Sequence, residues 1–231
     1  MNKKRFLKKF KFIDKSFCTT HPSAVRSLNN DQALYIPNPV DETFENLKIY
    51  KKKLYKYDLF FALSHGVHRG TLKFGKIDGR EILLKKLVKL KKEIKFNIFG
   101  IDNRQPIWAE SFKNELSKSK MALNLSQGVA LKFYTSDRFA QLVGNGILTF
   151  VDIKTQLNKL FSNNEIVFYK NLKDLSLKLN KFKTEKKLRD NIARNGMKKY
   201  HKYMNSKLIS KFIINKTFDI NNNEKFFWEN K

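Results

Sequence analysis

The chain has 231 residues, enough for one large domain or two small ones, and a hydrophobic fraction of 41% that suffices for a core. Its formal charge of +27 would attract nucleic acid, an anionic membrane face or an acidic ligand. A single cysteine, Cys18, excludes an internal disulfide, and no apolar run reaches the length of a membrane span. We therefore expect a soluble protein of the reducing cytoplasm.

Lysine supplies most of the positive charge, because arginine accounts for only 8 of the 48 basic residues. Specific recognition of phosphates or bases favours the forked guanidinium group of arginine over the lysine ammonium. The excess of lysine indicates a generic basic surface. Nucleic acid is therefore not the partner that we expect.

Two prolines mark a boundary near the start of the chain. Residues 1–35 are basic and weakly patterned, apart from a short strand predicted over Phe17–Pro22. Pro37 and Pro39 then exclude regular structure and favour an extended connection. We predict that residues 36–56 form a linker whose lysine-rich second half is exposed.

From residue 57 to residue 204, apolar runs of strand length alternate with helical patterns. This order predicts parallel strands with helices on both faces of the sheet, an α/β fold of the Rossmann-like kind. Residues 205–231 are predicted to add a C-terminal helix and a tail. The predicted strands are Tyr57–Leu63, Ile94–Phe99, Met121–Leu125, Ile147–Val151 and Glu165–Tyr169, and the predicted helices include 78–92, 107–119, 172–182 and 185–203.

The stretch around residues 134–146 joins two of these strands through a short helix. Ser136 is suited to cap that helix, and Asp137 suits the positive end of its dipole. Gly144 and Gly146 are placed to end it. A helix start beside the carboxyl end of a parallel strand is a favourable place for an anionic group, and Arg138 adds a cation that matches phosphate.

The spacing of three residues in this stretch resembles a nucleotide-sugar motif. Many GT-B glycosyltransferases carry an Arg, a Glu three residues later and a Gly five residues beyond, and here those places hold Arg138, Gln141 and Gly146. The chain resembles the donor-binding half of the enzymes related to the spore-maturation group, over about Ile36–Ile213. It departs from the motif at Gln141, which can bind ribose hydroxyls but brings no charge. The alternative is a capped helix that only packs on the sheet.

The resemblance implies a sugar transferase that uses a nucleotide-sugar as substrate and no cofactor. It also implies that leaving diphosphate is stabilised by helix dipoles and basic side chains without a metal, and the sequence has no Asp-x-Asp motif. Complete enzymes of this kind carry an acceptor-binding domain before such a linker, so the resemblance implies that residues 1–35 are the remnant of that domain or a basic arm. The resemblance then implies that a partner chain completes the acceptor side. No general base or other catalytic residue is identifiable.

A glycine-bearing loop, His65–Gly70, follows the first predicted strand. In the enzymes that the chain resembles, the corresponding loop faces the diphosphate of the donor, which implies that Arg69 and Arg138 converge on the diphosphate. The alternative is a plain turn with a solvated arginine. Trp108 is placed to stack on a base, although burial is the commoner fate of a tryptophan at a helix start. The predicted donor-binding residues are His68, Arg69, Arg80, Asn124, Ser126, Ser136, Asp137, Arg138 and Gln141.

Two classes of function stay open at this point. The first is a glycosyltransferase, or its donor-binding half, that transfers sugar to a glycan or lipid-linked acceptor of the cell envelope. The second is a non-catalytic basic module that binds nucleotides or nucleic acid, although no nucleic-acid-binding motif is found. The basic start of the chain further predicts peripheral attachment to an anionic membrane surface.

Overall fold

The computed structural model describes residues 12–25, 32–63, 79–101, 104–126, 128–220 and 224–229. Within these ranges the strands are β1 Ser16–Cys18, β2 Ala33–Tyr35, β3 Tyr57–Ala62, β4 Phe96–Phe99, β5 Ser119–Asn124, β6 Leu148–Asp152 and β7 Val167–Tyr169. The α-helices are α1 Gly79–Leu90, α2 Ala109–Leu116, α3 Asp137–Gly144, α4 Leu172–Thr184, α5 Lys186–Tyr203 and α6 Ser206–Thr217.

The five strands from β3 to β7 form one sheet in the order β4-β3-β5-β6-β7, and all their pairings are parallel. Helices cover both faces, so the predicted α/β, Rossmann-like class is confirmed. In such a sheet both sides of each strand are buried, which explains why these strands are almost continuously apolar. None of the helices in the described ranges is long and apolar enough to cross a membrane.

Successive residues of β3 show how the two faces are filled. Leu59 and Phe61 pack with α1 and α4 on one face. Phe60 and Ala62 point the other way, toward α2 and α3. A further cluster, rich in aromatic rings, joins α3 to α5, α6 and the C-terminal segment.

The small parallel pair β1–β2 lies outside the main sheet and packs on this aromatic cluster. Phe17 of β1 meets Phe212 of α6 edge to face, with ring centroids 6.1 Å apart. Tyr35 of β2 lies 5.5 Å from Phe133 by the same measure. The strand predicted over Phe17–Pro22 is therefore found slightly earlier, whereas β2 was not predicted.

The second half of the predicted linker is not uniformly exposed. Ile49 is buried, and its amide donates to the carbonyl of Asn145 at 3.0 Å. Tyr50 likewise donates to Gly146 at 3.0 Å. A Cβ atom at Gly146, where φ is +69°, would lie only 2.7 Å from the Tyr50 ring. The expectation that this part of the linker is exposed was wrong for Ile49, because it is covered by residues that lie almost a hundred positions later in the chain.

Residues 38–40 are held by the corner between α5 and α6. The hydroxyl of Tyr200 donates to the carbonyl of Asn38 at 2.8 Å, and the amide of Val40 donates to Met204 at 3.2 Å. The Asn38 side chain in turn donates to the carbonyl of Thr135 at 2.6 Å, just before α3. This segment therefore connects the last helices to the start of α3.

Asp58 carries a buried charge at the amino end of β3. Its carboxylate accepts from Lys120 Nζ at 2.6 Å and from the Lys95 amide at 2.9 Å, and Lys183 Nζ lies 3.4 Å away. Burial raises the pKa of this carboxyl, but the hydrogen bonds and the two ammonium charges outweigh it, so the pKa lies below its ordinary value.

Replacing Asp58 by Asn should lower the free energy of unfolding at neutral pH by about 1–3 kcal/mol. A carboxyl whose pKa is lowered by folding contributes stability above its unfolded pKa, and this is lost as the pH falls through the folded pKa. The variant should therefore lose less stability than the parent on acidification. Denaturant unfolding across acidic pH measures this, with the exposed Asp219→Asn as the matched control. Identical acid profiles for Asp58→Asn and the parent would contradict the assignment.

Candidate functional site

Two adjoining clefts lie at the carboxyl ends of the sheet strands, the edge at which α/β sheets bind ligands. The first cleft, of about 360 Å³, is bounded by the end of β3, by the start of α2 and by the start of α3. The second cleft, of about 180 Å³, is bounded by the loop after β5 and by the ends of β6 and β7. Arg80 of α1 lines both clefts.

The start of α3 forms one wall of the first cleft. Ser136 caps the helix as predicted, since its hydroxyl accepts from the amide of Phe139 at 3.3 Å. Asp137 and Gln141 follow on the same wall, and both line the first cleft together with Arg138. Four of the nine predicted donor-binding residues are thus brought together on one short helix and its cap.

Arg138 lies in the predicted place, but its guanidinium is turned toward the main chain. Nη1 donates to the carbonyl of Ala62 at 2.6 Å, and Nη2 donates to the carbonyl of Leu125 at 2.8 Å. The guanidinium carbon also lies 5.0 Å from the centroid of the Phe61 ring. Arg138 therefore ties the end of β3 to the end of β5, and this contact was not foreseen. A direct contact with the diphosphate stays a prediction.

Arg80 is the other predicted cation at this edge of the sheet. Its side chain is 7% exposed and reaches both clefts from the first turn of α1. A guanidinium so placed can serve a ligand that extends from one cleft into the other. His68 and Arg69, which were expected to converge with Arg138, lie outside the described residues, so their predicted role stays a prediction.

Asn124 and Ser126 diverge rather than share one pocket. Asn124 is buried at the end of β5, and its Oδ1 atom has no hydrogen-bond partner among the described residues. The register pairs Phe60 with Ala122, so two residues later Asn124 faces the side of Ala62 and of the first cleft. Ser126 lines the second cleft. Of the predicted pair, Ser126 therefore lines a cleft, whereas Asn124 lines neither of the two.

Trp108 is a residue for which the sequence left two alternatives open, stacking on a base and burial at a helix start. In the structure 61% of its surface is exposed and it lines the first cleft. It is the N-cap residue of α2, and its side chain makes no capping hydrogen bond. A tryptophan where Ser, Thr, Asp or Asn would stabilise the helix is the signal that could have identified it.

Carboxylates are sparse around the clefts. Asp152 lines the second cleft, and its Oδ1 accepts from the amide of Lys154 at 2.9 Å. Across the described ranges no three His, Cys, Asp or Glu side chains form a group that could hold a metal ion. The side chains that line the clefts offer guanidinium groups, hydroxyls, a carboxamide and the carboxylates of Asp137 and Asp152.

Comparison with solved structures identifies the fold. HepE of Anabaena, in complex with UDP and glucose, superposes with a TM-score of 0.67 at 10% identity, covering 96% of this chain and 68% of HepE. TarM gives 0.63 at 11% identity, covering 91% of this chain and 45% of TarM. Sucrose-phosphate synthase of Thermosynechococcus elongatus gives 0.58 at 10% identity, covering 95% and 63%. The chain thus spans less than half the length of TarM, and it has the Rossmann-like fold of these GT-B glycosyltransferases.

Comparison at the level of the amino-acid sequence identifies the family. No curated protein sequence matches the chain significantly. The sequence profile described as glycosyl transferase-like matches residues 80–214, which is more than half of the chain. The matched range includes α3 and Arg80, the arginine that lines both clefts. The chain therefore belongs to the glycosyl transferase-like family.

Proposed function

We propose that this chain binds a nucleotide-sugar across the two clefts and transfers its sugar to a glycan or lipid-linked acceptor. The observation that carries the proposal is the buried Arg80, shared by two adjoining clefts at the carboxyl ends of parallel strands. A nucleotide-sugar has a nucleoside at one end, a sugar at the other and a diphosphate between them. An arginine at the junction of two clefts suits the middle of such a ligand.

The reaction places new negative charge on the diphosphate. As the acceptor oxygen bonds to the anomeric carbon, the bond from that carbon to the diphosphate oxygen breaks and its electron pair leaves with the diphosphate. Arg80 would stabilise this charge in a partly water-excluded place, where a fixed cation acts strongly. We propose that this guanidinium, helped by the dipole of α3, serves in place of a metal ion.

The identity of the nucleotide is proposed from the structural neighbours. HepE is in complex with UDP and glucose, and S. aureus TarM has been crystallised as a variant with UDP and α-GlcNAc-glycerol. UDP is accordingly the first probe for this chain. We further propose a place in the group related to spore-maturation proteins, on the motif of Arg138, Gln141 and Gly146.

The acceptor side is proposed from charge. A formal charge of +27, carried mainly by lysine, favours the anionic inner face of a membrane, where lipid-linked acceptors reside. A partner chain is proposed to complete the acceptor-binding side of the cleft. Sedimentation with anionic and neutral vesicles separates the membrane claim from the catalytic one.

Replacing Arg80 by Ala should weaken UDP binding by about 10- to 100-fold, because a charge-assisted hydrogen bond to phosphate is lost. Isothermal calorimetry measures the affinity, and thermal melting verifies that the variant is folded. Arg80→Lys should recover part of the loss, since it restores charge without the fork. Arg104→Ala, which removes an exposed arginine at the edge strand β4, is the matched control and should bind UDP like the parent. Equal affinities for parent and Arg80→Ala would remove the assignment.

A non-catalytic nucleic-acid-binding module is the second candidate, favoured only by the high positive charge. Binding of UDP-sugar and of single-stranded RNA at two salt concentrations separates the two. RNA binding that disappears at high salt while UDP-sugar binding persists supports the transferase, because non-specific binding to phosphates is strongly salt-dependent. Release of UDP from UDP-sugars, with chelator present, then tests for metal-independent catalysis.

A further inference from the structure

Trp108 presents a large aromatic surface to the first cleft. Its exposed fraction of 61% contrasts with 2% for Trp228, the other tryptophan of the chain. Exposing an indole to water forgoes the large gain in free energy that its burial would bring. An exposed tryptophan inside a cleft is therefore a candidate for contact with a ligand.

The backbone around Trp108 departs from local rules in two further ways. Trp108 occupies the N-cap of α2 without providing a capping hydrogen bond. Ala109, the first residue of the helix, has φ of +48°, in the left-handed region that residues with a Cβ atom rarely adopt. Such departures accumulate where a side chain must be held in place for function. Here they surround the residue that lines the cleft.

The first cleft is amphipathic. Ile107, Trp108 and Phe112 give it an apolar side, whereas the start of α3 gives it a polar side with Asp137 and Gln141. A flat ring with a polar edge fits between two such sides. A phosphate is disfavoured beside the carboxylate of Asp137, and it is favoured at the guanidinium at the junction of the clefts. This distribution of charge favours one orientation of a bound nucleotide-sugar over the reverse orientation.

We propose that Trp108 is the surface on which the nucleobase of the donor stacks. The diphosphate then passes Arg80, and the sugar enters the second cleft, where Ser126 and Asp152 offer hydrogen bonds to hydroxyls. This inference rests on the proposed function and specifies which cleft takes which end of the donor. Because every base has an apolar π-face, stacking supplies affinity without choosing the base.

The two ends of the donor can be tested separately with its fragments. Trp108→Ala should bind uridine and UDP about 5- to 100-fold more weakly than the parent and bind pyrophosphate equally well. Arg80→Ala should show the reverse pattern, with pyrophosphate and UDP weakened and uridine unchanged. Trp108→Phe, which keeps a smaller ring, should recover part of the affinity for uridine. Calorimetry measures all three ligands, and melting verifies that each variant is folded.

Tryptophan fluorescence gives a second readout, because the two tryptophans differ so strongly in exposure. Emission of the parent should be quenched by uridine and by UDP. Trp108→Phe, which leaves Trp228 as the emitter, should not respond, whereas Trp228→Phe should keep the full response. Quenching by free glucose but not by uridine would overturn the proposal and assign the indole to a sugar.

The outcomes separate this inference from the proposed function. If the parent binds UDP or GDP and Trp108→Ala binds it equally tightly, the stacking proposal is overturned and the proposed function stands. If the parent binds neither nucleotide, both are overturned. Loss of uridine and pyrophosphate binding together in Trp108→Ala, with an unchanged melting temperature, would contradict the direction proposed for the donor.

Discussion

Replacing Arg138 by Ala is expected to lower the free energy of unfolding by about 3–5 kcal/mol, because each hydrogen bond from a charged group contributes about 1.5–3 kcal/mol. Two such bonds are lost at once, those to the carbonyls of Ala62 and Leu125. Both carbonyls lie where a strand leaves the sheet and has no further ladder partner. Denaturant unfolding followed by circular dichroism measures the change.

The same substitution should weaken UDP binding, since Arg138 fixes the ends of β3 and β5 beside the first cleft. Arg138→Lys should recover less than half of the lost stability, because an ammonium group cannot reach both carbonyls with the geometry of a fork. Arg194→Ala is the matched control. That arginine is exposed on α5, so its loss should change stability by no more than about 0.5 kcal/mol. Similar losses in Arg138→Ala and Arg194→Ala would contradict this account.

Replacing Gly196 by Ala should destabilise the chain by about 3 kcal/mol or more, the upper end of the range for overpacking. A Cβ atom at Gly196 would lie 2.3 Å from the carbonyl oxygen of Glu165 and 3.3 Å from its carbonyl carbon. Both are main-chain atoms, so neither can move aside as a flexible side chain would. Alanine favours a helix over glycine by about 1 kcal/mol, which is too little to compensate.

Thermal melting measures the effect, and Gly79→Ala is the matched control. Among the described residues, apart from the neighbours of Gly79 in the chain and the main chain of its own helix, no atom lies within 4 Å of a Cβ built at Gly79. This variant should therefore melt at the parent temperature or slightly above it. An unchanged melting temperature for Gly196→Ala would show that α5 can move away from the loop before β7 without loss.

The sheet could be predicted from the sequence because its signals are local. The apolar run Tyr57–Leu63 predicted β3, observed as Tyr57–Ala62, and the helix over residues 185–203 was observed as Lys186–Tyr203. Burial on both faces makes the strands uniformly apolar, and the helices between them keep a clear period. β2 and the burial of Ile49 could not be predicted, since both depend on residues distant in the chain.

The candidate site, like the fold, could be predicted only in part. Arg80, Ser136 and Gln141 were placed at one edge by the rule that ligands bind at the carboxyl ends of parallel strands. The direction of the Arg138 side chain escaped prediction, because one of its acceptors lies 76 residues earlier. The sequence could not decide between burial and exposure of Trp108, since this depends on which way a single residue points before α2 begins.

The attachment of residues 38–40 to the corner between α5 and α6 also determines when the fold can be completed. Asn38 and Tyr200 are separated by 162 residues, whereas β3 to β7 pair through crossovers between near neighbours in the chain. During synthesis the central sheet can assemble as its strands emerge, but Val40 has no cover until Met204 has been made. We therefore expect the attachment of residues 38–40 to the corner between α5 and α6 to form after the central sheet.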